Sequence, residues 1–149
     1  MAGTEGQSDG TPSAGASVSL ISNGSVNDAI GGATSGTLNL TQTAIGGDGG
    51  STGMRSRGAA GGNASSTLIG TNPYGSSNYN LTANATGGNG GGSDVGGFNG
   101  NGGSASATVA ATAIIGGIAN ATANANGGGP AAAALAAWEM EGMPPRYPT

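Results

Sequence analysis

Apolar and polar residues alternate along several stretches of the chain. Between Asn78 and Thr86 every second residue is Tyr, Leu or Ala, and the residues between them are Asn or Thr. The same period of two appears in residues 39–45, 104–113 and 119–126. Alternation of this length predicts β-strands with one buried face.

The predicted strands recur with a period of about 41 residues. Segments that begin at Asn39, Asn80 and Asn120 share the pattern N-[LA]-T-x-[TN]-A-x-G-G, at spacings of 41 and 40 residues. Residues 62–68 and 103–109 form a second related pair at the same spacing. A repeat of this length is typical of architectures in which each copy stacks on the next.

The predicted inner face consists mostly of Ala, which contributes little hydrophobic stabilisation. A buried Val or Leu contributes roughly 1.5–3 kcal/mol, and Ala much less. Ordering the backbone costs about 1–2 kcal/mol per residue, so one copy alone is not stable. We therefore expect backbone hydrogen bonds between copies to hold the structure together.

These patterns predict an all-β, solenoid-like stacked repeat with Gly-rich turns and a short C-terminal helix. The chain divides into a flexible leader (1–15), a Gly/Ala/Asn-rich β repeat region (16–129), and an Ala-rich helix with a Pro-rich tail (130–149). The glycine clusters at 46–53 and 87–103 are expected to supply left-handed backbone at the corners.

Two other interpretations of residues 87–103 stay open. Glycine packs tightly in polyproline II-like bundles, although no strict G-x-y triplet runs through this stretch. The stretch also resembles a degenerate calcium-binding nonapeptide, with Asp94 near the carboxylate position. Plain Gly-rich turns are favoured over both.

The outward-facing Asn and Thr residues are expected to stack in register as ladders between copies. The predicted ladder residues are Asn39, Thr41, Asn80, Thr82, Asn84, Asn120, Thr122 and Asn124. Several of these asparagines also lie in N-x-S/T sequons. Because a chain rich in Asn, Ser and Thr produces sequons by chance, the ladder is favoured over glycosylation.

Composition excludes several classes of function. The chain has no His, Cys or Lys, and only 3 Arg, with a net charge of −4. It therefore cannot form zinc fingers or ligate haem through His or Cys, and it lacks the cationic surface that nucleic acid requires. No apolar run is long enough to span a bilayer, and no signal peptide is visible. We expect no enzyme activity, no metal site and no cofactor.

Short A-I-G motifs give the chain a family resemblance. A-I-G occurs in the segments DAIGG and TAIGG, which begin at Asp28 and Thr43, and the related L-I-G occurs in TLIG, which begins at Thr67. With the GG-x-GG punctuation and the low charge, they resemble the Gly/Ala/Asn-rich β-strand repeats of bacterial surface proteins and adhesins. The Ile spacings of 15 and 24 residues do not keep the regular repeat of trimeric-adhesin heads. The resemblance implies a structural role at the cell surface or outside the cell.

The expected function is structural: self-association into a fibre or layer through strand stacking, with the chain itself as partner. The alternative is an ice-binding β-solenoid whose Asn/Thr face orders water. An adhesin segment would instead bind a surface ligand. Leu135, Trp138 and Met140 carry much of the large apolar surface of the whole chain. They are expected to cap the stack or to dock onto a neighbouring subunit, and a third alternative is that they belong to a disordered tail.

Overall fold

Six β-strands make up the secondary structure of the residues that the structure describes. The computed structural model describes residues 11–23, 28–53, 56–74, 78–93, 97–114 and 116–131, and these contain no helix. The strands are β1 (Val18–Ser22), β2 (Leu38–Ile45), β3 (Ala64–Asn72), β4 (Asn78–Thr86), β5 (Ala105–Ala113) and β6 (Ile118–Asn126).

The strands form two three-stranded parallel sheets. Sheet A has the order β1-β3-β5, and sheet B has the order β2-β4-β6. Each turn of the chain therefore adds one strand to each sheet. We call residues 11–53, 56–93 and 97–131 the first, second and third coils. The all-β prediction is confirmed.

The register matches the repeat found in the sequence. Asn39 pairs with Asn80, and Asn80 pairs with Asn120. The second spacing is shorter by one residue because the connection from β5 to β6 is shorter by one residue than that from β3 to β4. In the first coil the connection from β1 to β2 is longer, so Val18 pairs with Ala64 instead of a residue 41 positions away.

The core lies between the two sheets and is formed by the alternating apolar positions. One buried cluster contains Leu68, Tyr79, Leu81 and Ala83. A second contains the alanines at 44, 64 and 85. The predicted inner face is thus the buried face in the first two coils. In the third coil the corresponding inner residues of β6 are all Ala, and every residue of β6 is exposed.

One polar side chain in the core is fully hydrogen-bonded. Gln42 is 3% exposed and occupies the inner position that Ala83 holds in the next coil. Its oxygen accepts a hydrogen bond from Ser22 Oγ (2.6 Å), and its nitrogen donates to the Leu20 carbonyl (3.0 Å) and to Ser66 Oγ (3.1 Å). A buried amide is tolerated only when its donors and acceptor are satisfied in this way.

The glycine clusters extend the stack beyond the strand ends. Incoming segments lead into the strands of sheet A, and outgoing segments follow the strands of sheet B. The incoming segments are 13–16, 58–62 and 100–103, and the outgoing segments are 46–50, 87–91 and 127–131. Together they form what we call the glycine bundle.

Backbone hydrogen bonds cross the glycine bundle from coil to coil. One series of N–H groups donates in turn from Gly47 to Ala16, Gly62 to Gly47, Gly88 to Gly62, Gly103 to Gly88 and Gly128 to Gly103, with N···O distances of 2.8–2.9 Å. Every bond in this series joins an incoming to an outgoing segment. The series therefore passes back and forth across the bundle as it climbs the stack.

Hydrogen-bond direction in the bundle repeats every three residues. In the first outgoing segment, Gly46 and Gly49 donate to the next coil on the same side, whereas Gly47 and Gly50 donate across the bundle. Asp48, between them, is exposed. Three residues per turn with no internal hydrogen bonds is the arrangement of polyproline II-like chains.

The prediction of Gly-rich turns is therefore wrong for most of these residues. Among the described residues only Gly116 has a positive φ, of 60°. Glycine is required elsewhere by close approach: a Cβ at Gly88 would overlap the Gly47 carbonyl oxygen. Two residues in three face neighbouring segments, which is why the pattern is GG-x-GG and not a G-x-y triplet.

The long connection of the first coil folds against the N-terminal end of the core. Ile30 packs on the cluster around Leu68, and its N–H donates to Ser22 Oγ (2.9 Å). Thr34 exchanges two hydrogen bonds with the buried side chain of Asn72. β1 is shorter than β3 and pairs with it only as far as Leu68, and this segment lies beside the unpaired remainder of β3.

Candidate functional site

The outer face of sheet B carries the predicted ladder residues in aligned columns. Asn39, Asn80 and Asn120 form one column, and Thr41, Thr82 and Thr122 form the next. The third column contains Thr43, Asn84 and Asn124. In-register parallel pairing places identical or similar side chains one strand spacing apart, at about 4.8 Å.

The asparagine columns are hydrogen-bonded amide ladders. Asn80 Nδ2 donates to Asn39 Oδ1 (2.7 Å), and Asn120 Nδ2 donates to Asn80 Oδ1 (2.7 Å). In the third column Asn124 Nδ2 donates to Asn84 Oδ1 (2.9 Å). Each amide donates toward the N-terminal coil, so the ladder has a direction.

The ladder also engages the atoms that a glycan would use. The side-chain nitrogens of Asn80, Asn84 and Asn120 all donate hydrogen bonds within the columns. A glycan on any of these nitrogens would remove a hydrogen-bond donor of the ladder. It would also extend over a column in which the next side chain is only one strand spacing away. This geometry favours the ladder interpretation of these sequons.

Side chains of one coil also cap backbone N–H groups of the next. Asp48 Oδ1 accepts from the Asn89 N–H (2.6 Å), and Asn89 Oδ1 accepts from the Gly129 N–H (3.0 Å). Asn63 Oδ1 caps the Ser104 N–H in the same way (2.8 Å). Sequence reasoning missed these contacts; their signal is a polar residue directly after a Gly-Gly pair, as at Asp48, Asn63 and Asn89.

The C-terminal end of the stack is open in the described part of the chain. β6 and β5 are the last strands of their sheets, each paired on one side only. β6 contains no Pro and no charged residue, the devices that usually blunt an edge strand. Above β6 the glycine bundle also ends, and a Cβ at Gly127 would lie 3.6 Å from its nearest neighbour, the Gly103 oxygen.

Several predicted features lie outside the described residues. They are the capping or docking side chains Leu135, Trp138 and Met140, the helix that was expected to carry them, and Asp94 of the calcium interpretation.

The described residues offer few groups for other chemistry. They include no group of three or more His, Cys, Asp or Glu residues placed to hold a metal ion. None of the secondary structure in these ranges is a helix of the length and apolarity that a bilayer span requires. No protein-family model, curated protein or solved structure matches the chain.

Proposed function

We propose that this chain is a structural protein, a β-solenoid that self-associates into a fibre or layer by stacking strands. The observation that carries the proposal is the edge of β6, which is nine residues long, exposed throughout and without a strand partner among the described residues. An edge of this kind is a template for pairing with another strand. The proposed setting is the cell surface or the extracellular space, as the resemblance to surface-protein repeats implies.

The way the molecule is held together supports this proposal. Each described coil is fixed to the next by strand pairing, amide ladders and the glycine bundle, all of which repeat with the coil. A further coil from a second copy would form the same interactions. Self-association therefore needs no new type of contact.

Concentration-dependent assembly tests the proposal directly. We expect light scattering with size-exclusion chromatography to show species larger than the monomer, increasing with concentration, and negative-stain microscopy to show fibres or sheets. The control is an Ala123→Pro variant, which removes a backbone N–H donor from the middle of β6 and is expected to reduce assembly. A wild-type chain that stays monomeric at millimolar concentration contradicts the proposal.

A second candidate function is ice binding, and one observation favours it. The outer face of sheet B is uncharged and carries aligned columns of Asn and Thr, including the Thr41–Thr82–Thr122 column. Thermal hysteresis measures this function. We expect a Thr82→Lys variant to abolish any hysteresis without unfolding the chain, and the absence of hysteresis in the wild type would exclude ice binding.

A further inference from the structure

From the outer edges of β2 and β6, which have no strand partner in the described part of the chain, we infer that copies of this chain join head to tail, with β6 of one copy pairing in parallel with β2 of the next. The inference rests on the proposed self-association and adds its polarity and register. It places Asn120 of one copy against Asn39 of the next, so that the columns of sheet B continue across the joint.

The amide ladder supplies the first argument for this polarity. Within the described residues, Asn39 Nδ2 has no acceptor and Asn120 Oδ1 has no side-chain donor, because each amide donates toward the N-terminal coil. If every side-chain amide of the column were flipped, the nitrogen and oxygen ends of the ladder would change places. The ladder would still have a free nitrogen at one end and a free oxygen at the other. Only a head-to-tail joint brings a donor end to an acceptor end.

The glycine bundle supplies an independent argument. Its main hydrogen-bond series begins at Ala16, whose carbonyl accepts from Gly47, and ends at Gly128, whose N–H donates to Gly103. In the described part of the chain this leaves the Ala16 N–H and the Gly128 carbonyl without backbone partners. Within the molecule the equivalent groups, the Gly103 N–H and the Gly88 carbonyl, bond to each other at 2.8 Å.

The side chains at such a joint match pairs already present in the fold. Asn124 would meet Thr43, and Asn84 already donates to Thr43 across 3.3 Å. The inner alanines of β6 would cover the Leu38 and Leu40 positions, which are only half-buried. Apolar surface would thus be buried at the end of each stack.

Sheet A would contribute less to the joint than sheet B. β1 offers five residues against the nine of β5, and the Ile30 segment occupies the space beside the end of β1. The first half of β5 would pair with β1, and its second half would lie over residues 28–34. The joint therefore depends mainly on β6 and β2.

Disulfide trapping tests the polarity, and the chain has no cysteine of its own. In a Thr41→Cys/Thr122→Cys variant the two thiols of one molecule are separated by two strand spacings, about 9.6 Å. This exceeds the limit of roughly 7 Å between Cα atoms that a disulfide can bridge. Under diamide oxidation we expect a ladder of disulfide-linked multimers on a non-reducing gel.

Single variants distinguish the possible arrangements. Mixing T41C with T122C is expected to give dimers only, whereas each alone, and the mid-stack control T82C, is expected to stay monomeric on the gel. Dimers from T122C alone would show tail-to-tail association and overturn the inference while leaving self-association standing. If neither cross-links nor larger species in light scattering are found, both the inferred joint and the proposed self-association are overturned. This is also the result expected if the chain's own C-terminal residues cover β6.

A glycine variant provides a second test that is independent of cysteine. Gly127 is equivalent to Gly87, where a Cβ would overlap the Gly103 carbonyl oxygen. At a head-to-tail joint, the Cβ added by Gly127→Ala would overlap the Ala16 carbonyl oxygen of the next copy in the same way. We expect this variant to keep the melting temperature of the dilute monomer and to raise the concentration of half-assembly at least tenfold. Unchanged assembly would contradict the inferred joint.

Discussion

At many positions in this molecule, the effect of a single residue on stability depends on how much room its side chain leaves for neighbouring segments. Glycine is required in the bundle because neighbouring backbones approach within contact distance, and Gly70 leaves room for the Tyr79 hydroxyl from the facing sheet. In a conventional core, stability depends on filling volume with large side chains. Here, adding a methyl group at most bundle glycines is expected to destabilise the fold, because backbone atoms lie within 3 Å of the place the Cβ would take.

Gly87→Ala and Gly127→Ala form a matched pair at the same repeat position. The added Cβ would overlap the Gly103 carbonyl oxygen at position 87, but would lie 3.6 Å from it at position 127. We expect Gly87→Ala to lower the free energy of unfolding by about 1–3 kcal/mol, the usual range for overpacking. Gly127→Ala should leave it nearly unchanged. Equal effects in thermal unfolding at monomer concentrations would contradict the close packing described.

Gly70 and Tyr79 are expected to be energetically coupled. A Cβ at Gly70 would overlap the Tyr79 hydroxyl oxygen, so Gly70→Ala should destabilise the fold by about 1–3 kcal/mol. Tyr79→Phe removes that oxygen and should recover much of the loss in the double variant. A double-mutant cycle by urea unfolding measures the coupling, and strictly additive effects would show that the two side chains do not meet.

The buried phenol of Tyr79 is expected to make the stability of the fold decrease at alkaline pH. Burial raises the pKa of the Tyr79 phenol above its usual value of 10.0. As the pH rises past about 10, the unfolded chain loses this proton before the folded chain does, so stability falls. We expect Tyr79→Phe to remove part of this loss in melts between pH 9 and 11.5, and Tyr74→Phe, an exposed position, to keep it. An identical pH slope in both variants would contradict the burial of Tyr79.

At the scale of the element, each strand is held by its neighbours in adjacent coils. The sequence alone predicted the alternation in β4 and the columns of sheet B, because a period of two and a period of 41 are both visible in residue types. It did not predict Gln42 as a buried hydrogen-bonding centre, since its partners come from β1 and β3 and no local pattern links them. The glycine clusters were misassigned because glycine is compatible equally with a turn and with a packed extended segment.

Asn80 is expected to be the most important residue of the amide ladder. It donates to Asn39 and accepts from Asn120, so Asn80→Ala removes two hydrogen bonds. Because the ladder is partly exposed, we expect a loss of about 1 kcal/mol, near the lower end for such bonds. Asn78→Ala, at an exposed position of the same strand opposite Ile118, is the control and should be nearly neutral. Equal stability of the two variants in urea would show that the ladder contributes nothing.

At the scale of the whole molecule, the stack is uniform along its axis but different at its two ends. The N-terminal end has a short β1 and the Ile30 segment against its core, whereas the C-terminal end presents the full length of β5 and β6. This asymmetry links the fold to the proposed function. Interactions that hold one coil to the next are the same ones that would hold one molecule to another.

Hydrogen exchange of the glycine amides tests most directly whether backbone bonds between coils hold this molecule together. We expect Gly62, Gly88 and Gly103, which lie outside the strands, to exchange as slowly as the central amides of β4. Residue-resolved NMR exchange on the monomer measures these rates. Exchange of the three glycines at the rate of an unstructured chain, with β4 protected, would contradict the account.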